Sequence, residues 1–275
     1  MTNTYGYNRK TIEEDEAILA AVRRHHDAVA AKGYIVIFTA LVGSQNYDLD
    51  NEKSDIDTFS FVYPPLGDIA LAKEPYAGMF ELDDGHCEVK DVRIALHLLR
   101  KTSPNSIEYF ASKYKIYNPI FAPILKEYLD DNTKLWHMIH CNYNHMLYAI
   151  SGMAHQLTKR NMPAGKAFAH ALRLDDMYYH FMNSPNAQAV IELRMGGDRE
   201  LALSAKYNTD PKLDNDYIEE CHSFAVKLDY NRENFKLTDE QAHIQQYGLA
   251  LIDSLQWKLF KKYLMETNNQ WDNQT

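Results

Sequence analysis

Leu41–Phe61 reads LVGSQNYDLDNEKSDIDTFSF, and the fold turns on this stretch. Ahead of it, Tyr34–Val42 (YIVIFTALV) is an apolar run of strand length and predicts a buried strand. Behind it, Ile56, Thr58, Ser60 and Val62 alternate with Asp57, Phe59, Phe61 and Tyr63, so a second strand follows. Between the two stands Gly43-Ser44. A turn just past a strand presents backbone N–H groups and a hydroxyl, donors suited to a phosphate. Asp55 and Asp57 are two apart and share a face of an extended segment. Two close carboxylates repel unless a cation sits between them, and hard oxygens on a rigid backbone suit Mg2+ or Mn2+.

The loop between the strands reads as a solvated turn, with Asp48, Asp50 and Glu52 assigned to water. A helix–loop–helix calcium site fails by position. Counted from Asp48, Lys53 stands where glycine is needed and Phe59 where glutamate is needed.

Gly43-Ser44 followed by Asp55-x-Asp57 resembles the signature of the nucleotidyltransferase superfamily related to DNA polymerase β. More narrowly, GSQNYDLDNEKSDID is similar to the GS-x-x-Y-G-L … S-D-I-D stretch of predicted nucleotidyltransferases of bacteria and their phages. Those relatives carry Gly where this chain has Asp48. The resemblance extends through HCEVKDVRIALHLLRKTSPNSIEYFASKYKIYNP, which is similar to the relatives' strand, helix and N-P-N-x-x-E-x-L segment, with Ser103 where they often have Asn. It also takes in Lys166, His170 and Arg173, similar to a K-x-x-x-H-x-x-R-L helix set opposite the carboxylates. These three fall at i, i+4 and i+7 and share one helical face, a suitable surface for a polyanion. Gly197–Leu201 also resembles a family segment of unassigned role.

The resemblance spans residues 33–206 and implies a nucleotide cleft. Asp55, Asp57 and a third carboxylate would hold two Mg2+ (or Mn2+) ions; Glu88 on a neighbouring strand is the candidate, and Asp91, read first as a helix cap, is its rival. Gly43, Ser44, Lys166, His170 and Arg173 would bind the nucleotide. The implied reaction moves a nucleoside monophosphate from an NTP such as ATP to an acceptor (RNA, protein or small molecule) and releases pyrophosphate. Two other classes stay open: a catalytically impaired nucleotide-binding module, or a member of a toxin–antitoxin-like regulatory pair.

Composition sets outer bounds. The 275 residues suffice for one large domain or two modest ones. A net charge of −9 excludes an overall basic surface of the kind that drives nonspecific nucleic-acid binding. Cys87, Cys141 and Cys221 lie far apart without a C-x-x-C pair, which suits free thiols. No apolar run reaches the ~20 residues of a membrane span, and MTNTYGYNRK is no signal peptide. A cytoplasmic protein without a membrane partner is expected.

Thr11-Ile12-Glu13-Glu14 is a capping-box pattern opening a helix that runs to Gly33. His25-His26 on it reads as a surface pair. Pro64-Pro65 ends the second strand. Residues 78–82 and 86–90 flank Asp83-Asp84-Gly85 as a hairpin. Asp91 and Ser103-Pro104 then open two helices. From Pro119 the period is helical: 120–130, 133–159, 164–182, 187–195, 213–232 and 238–266. The expected fold is α+β, with a nucleotidyltransferase-like mixed sheet and flanking helices in a catalytic domain (1–118). An all-helical domain (119–275) would close the nucleotide cleft.

Overall fold

The computed structural model describes residues 10–51, 54–159, 162–184 and 198–272. The chain opens with α1 (Ile12–Ala31), started by the expected capping box: Thr11 accepts from the Glu14 N–H while Glu14 accepts from that of Thr11. Strands β1 (Ile35–Val42) and β2 (Asp57–Tyr63) pair antiparallel, with Val42 opposite Asp57. The short helix α2 (Leu66–Ala70) leads to the hairpin β3 (Ala77–Leu82) and β4 (Gly85–Asp91). Next come α3 (Val92–Lys101), α4 (Pro104–Ala111) and β5 (Lys115–Tyr117). The sheet order is β3-β4-β2-β1-β5, and β2–β4 is its parallel pair.

The two faces of the sheet do different work. Val29, Val36, Val62, Cys87 and Val89 pack together on the α1 face. Phe38, Phe59, Phe61 and Tyr63 turn to the opposite face and enter the main core. There Tyr109 and Phe110 of α4 stack on Phe59 and Phe61, with ring centroids 3.9 and 5.1 Å apart. A bulge at Ile37 adds that side chain to the same core.

The second half is helical: α5 (Ala122–Leu125) with a π-helical turn (Lys126–Asp130), α6 (Asn132–Ile139), α7 (Tyr143–Leu157), α8 (Ala164–Asn183), α9 (Arg199–Lys206), α10 (Asp214–Asn234) and α11 (Asp239–Asp272). The expected helix 133–159 is two helices. Asn142 breaks it by capping α7, accepting from the His145 N–H. Gly248 of α11 also sits so close that a Cβ there would lie 2.1 Å from the His137 carbonyl oxygen. The expected helix 187–195 lies outside the described residues. β5, three residues long, carries too little pattern to be read in advance. The longest helix, α11, returns to the sheet, where Tyr263 stacks on Tyr63 at 4.3 Å and donates to the Pro64 carbonyl at 2.8 Å. Among the described residues no helix is long and apolar enough to cross a membrane.

Candidate functional site

Past β1 the chain takes a conformation that only glycine adopts freely. Gly43 has φ 81, and a Cβ there would stand 3.5 Å from Asp57 Oδ2. Ser44–Tyr47 then form one 3-10 turn, fixed by Asn46, whose side-chain amide donates to the Leu41 carbonyl at 2.7 Å. Asp48 closes the turn at φ 53, in the left-handed region that Asp tolerates.

The loop is not the solvated turn expected for Asp48 and Asp50. Lys10 lies 2.7 Å from Asp50 and 3.9 Å from Asp48, and these carboxylates are mostly covered. From the other side Lys206 and Tyr207, at the end of α9, both donate to the Leu49 carbonyl. Glu52 lies outside the described residues.

A cavity of about 180 Å3 opens between this loop and the helical half. Gly43, Ser44, Tyr47 and Asp57 line one side; Lys166, His170, Arg173 and Lys206 line the other. The structure therefore brings six of the eight anticipated site residues around one space. Asp55 and Glu88 are not among its lining residues. Asp55 is exposed and precedes β2, whereas Asp57 is the first residue of that strand. Glu88 pairs with Phe59 in the parallel ladder, two residues beyond Asp57 on the same face.

Each carboxylate has distinct company. Asp57 Oδ1 lies 2.8 Å from His86 Nδ1 without a well-aligned hydrogen bond. Desolvation holds the Asp57 carboxyl above its usual range; the charge on His86 pulls it down and Asp55 pushes it further up. Glu88 contacts Lys90 at 2.7 Å through one oxygen and accepts from the Tyr109 hydroxyl at 3.2 Å through the other. Asp91 is the helix cap, accepting from the Arg93 N–H at 2.8 Å. It is fully buried and also grips the Arg93 guanidinium. Asp91 pairs with Val62 in the ladder, on the sheet face turned away from Asp57.

Among the described residues no group of three His, Cys, Asp or Glu side chains is arranged to hold a metal ion. The donor chemistry at Asp57 nonetheless suits a hard divalent cation. It offers a carboxylate oxygen without a hydrogen bond and a second carboxylate two residues away.

Arg173 is not a solvated member of a cationic stripe. It is 8% exposed, lies over the Tyr47 ring at 4.5 Å and contacts Glu108 at 3.4 Å. Glu108, itself buried, accepts from the Gly43 N–H with its other oxygen. Burial pushes the Glu108 carboxyl up while Arg173 and that N–H pull it down. Lys166 by contrast is exposed.

Sequence reasoning missed Glu108, Lys206 and Tyr47. For Glu108 one signal exists: a lone carboxylate between Ile107 and Tyr109 in an otherwise buried helix must find a partner. His25-His26 is not the expected surface pair, for both side chains are buried under the sheet. His25 bridges Thr58 and Asp84 at 2.8 Å each, and His26 reaches Thr39 at 3.1 Å. Asp84 in turn accepts the Ile56 N–H on its carbonyl, bracing the approach to Asp57.

No protein-family model matches this chain, and no curated protein matches it.

Proposed function

We propose that the protein is a metal-dependent nucleotidyltransferase with a catalytic half of that superfamily's fold. One observation carries the reading: Gly43, Ser44 and Asp57 face Lys166, His170 and Arg173 across one cavity. A cavity with a carboxylate on one wall and cations on the other suits a metal-bound polyphosphate. Ser44 and the turn amides would hold phosphate oxygens, and Lys166 and Lys206 would neutralise the terminal phosphates. Asp57, with Asp55, would hold the divalent cation, which when bound supplies charge neutralisation and polarisation of a phosphoryl oxygen. The acceptor would lose its proton to solvent as its oxygen bonds to the α-phosphorus and the bond to the leaving pyrophosphate breaks. The acceptor is RNA, protein or a small molecule.

A second reading, a nucleotide-binding module without transfer, draws support from Glu88, whose two oxygens are already engaged by Lys90 and Tyr109. Incubating the protein with α-labelled NTPs, Mg2+ and total cell extract separates the two. Label on RNA, protein or a small molecule is the expected result. Nucleotide binding without label transfer favours the second reading, and neither binding nor transfer removes both.

A further inference from the structure

Two groups suited to a phosphate, the Gly43 N–H and the Arg173 guanidinium, are both bound to one buried carboxylate. Glu108 Oε1 takes the Gly43 N–H and Oε2 lies 3.4 Å from Arg173 Nη1. Glu108 comes from α4, Gly43 from the end of β1 and Arg173 from α8, so one side chain ties both walls of the cavity. A carboxylate accepting a backbone N–H and facing a guanidinium offers what a phosphate oxygen pair would offer at that place.

The hold is incomplete. The Arg173 contact is long for a charge-assisted hydrogen bond. Arg173 Nε, buried and on a cavity-lining residue, has no well-aligned hydrogen-bond partner among the described residues, while the Tyr47 hydroxyl lies against Arg173 and Glu108. Buried donors left unpaired are rare, because each forfeits its water without compensation. The charged and titratable groups against Glu108 are Arg173, Tyr47 and Tyr109, and the Asn46 side chain also supports its charge. Arg173 therefore has donors to spare for a second anion.

We infer that Glu108 is a specificity-determining residue: a built-in anion that an incoming phosphate must displace from Gly43 and Arg173. The inference rests on the reading of this cavity as a polyphosphate site. A lone phosphate only exchanges one anion for another and gains little. A chain of phosphates also reaches Lys166 and Lys206, and those added charge contacts favour displacement. The cavity would thus admit polyphosphates and refuse inorganic phosphate.

Calorimetric titration of the full chain with inorganic tripolyphosphate and with inorganic phosphate tests this, on wild type, Glu108→Gln and Glu108→Asp. Thermal unfolding of each protein confirms its folding. Wild type should bind tripolyphosphate and show no phosphate binding at millimolar concentration. Glu108→Gln keeps the shape but removes the charge, so affinity for tripolyphosphate should rise at least ~10-fold and phosphate binding should become measurable. Should Glu108→Gln fail to fold, Glu108→Asp serves: it keeps the charge but is a methylene too short to span both donors, and affinity should rise in the same direction. Unchanged or weaker binding in the folded variants overturns the inference, as does tripolyphosphate binding to neither wild type nor variant. Label transfer from NTP with unchanged anion affinities would sink this inference alone. The predicted affinity gain without any label transfer would sink the transferase reading alone.

Discussion

Asp57 and Asp91 are both acids at strand ends, yet their surroundings give opposite predictions. Burial keeps the Asp57 carboxyl above its ordinary value of 3.8, so ionising it in the folded state costs stability. A carboxyl raised on folding contributes stability that is present below its unfolded value and lost as pH rises through the folded one. Asp57→Asn should therefore gain in urea midpoint relative to wild type at pH 7 and gain nothing at pH 3. Transfer should drop at least ~10²-fold in the same variant, as for losing a metal-holding charge. Full activity in Mg2+ would remove Asp57 from the metal site. Asp91→Asn preserves the cap but weakens the buried grip on Arg93, 2.6 Å from Asp91 Oδ2. It should cost about 1.5–3 kcal/mol, the range for hydrogen bonds to charged groups. A silent Asp91→Asn in chemical denaturation would mean that capping is its whole role.

At the scale of elements, the cavity depends on how closely α8 and α9 approach. Gly165 makes that approach possible: a Cβ there would lie 2.0 Å from the Ala205 carbonyl oxygen, on the residue before Lys206. Gly165→Ala should cost about 1–3 kcal/mol, as overpacking does, and push Lys206 away from Lys166. Nucleotide affinity should fall in parallel, and a variant with normal stability and affinity would show that the helices separate freely. Lys206 itself both lines the cavity and holds the Leu49 carbonyl. Lys206→Ala should weaken nucleotide-analogue binding more at low salt than at high salt, because screening already reduces its contribution at high salt. Equal losses at both salts would assign Lys206 to holding the loop.

Across the whole molecule, one cluster of buried side chains runs from Ile37 and Phe59 in the sheet to Leu255, Leu259 and Tyr263 in α11. Such continuity couples the sheet to the helices, so thermal unfolding should be a single transition. Far-UV circular dichroism reports on the whole chain, whereas Trp136, Trp257 and Trp271 all lie in the helical half. Coincident midpoints are expected, and two separated transitions would show that the halves fold independently. Leu255 is 1% exposed, and Leu255→Ala should lower both midpoints together at a cost of about 2–5 kcal/mol.

The sequence alone determined what depends on local periodicity and on residues close in the chain. The capping box of α1, the alternation of β2, the Gly43-Ser44 turn and the i, i+4, i+7 face of α8 are each set within about two helical turns of chain. The α+β class followed from them. Tertiary structure decided which groups become partners, since burial converts a surface preference into an obligation to pair. His25 and His26 share a helix with exposed neighbours, and only the sheet laid over them makes them buried ligands of Thr58, Asp84 and Thr39. Arg173 reads as a free cation until Glu108, 65 positions away, meets it beside Gly43. No local pattern encodes that meeting; it arises because α4, β1 and α8 close on the same cavity.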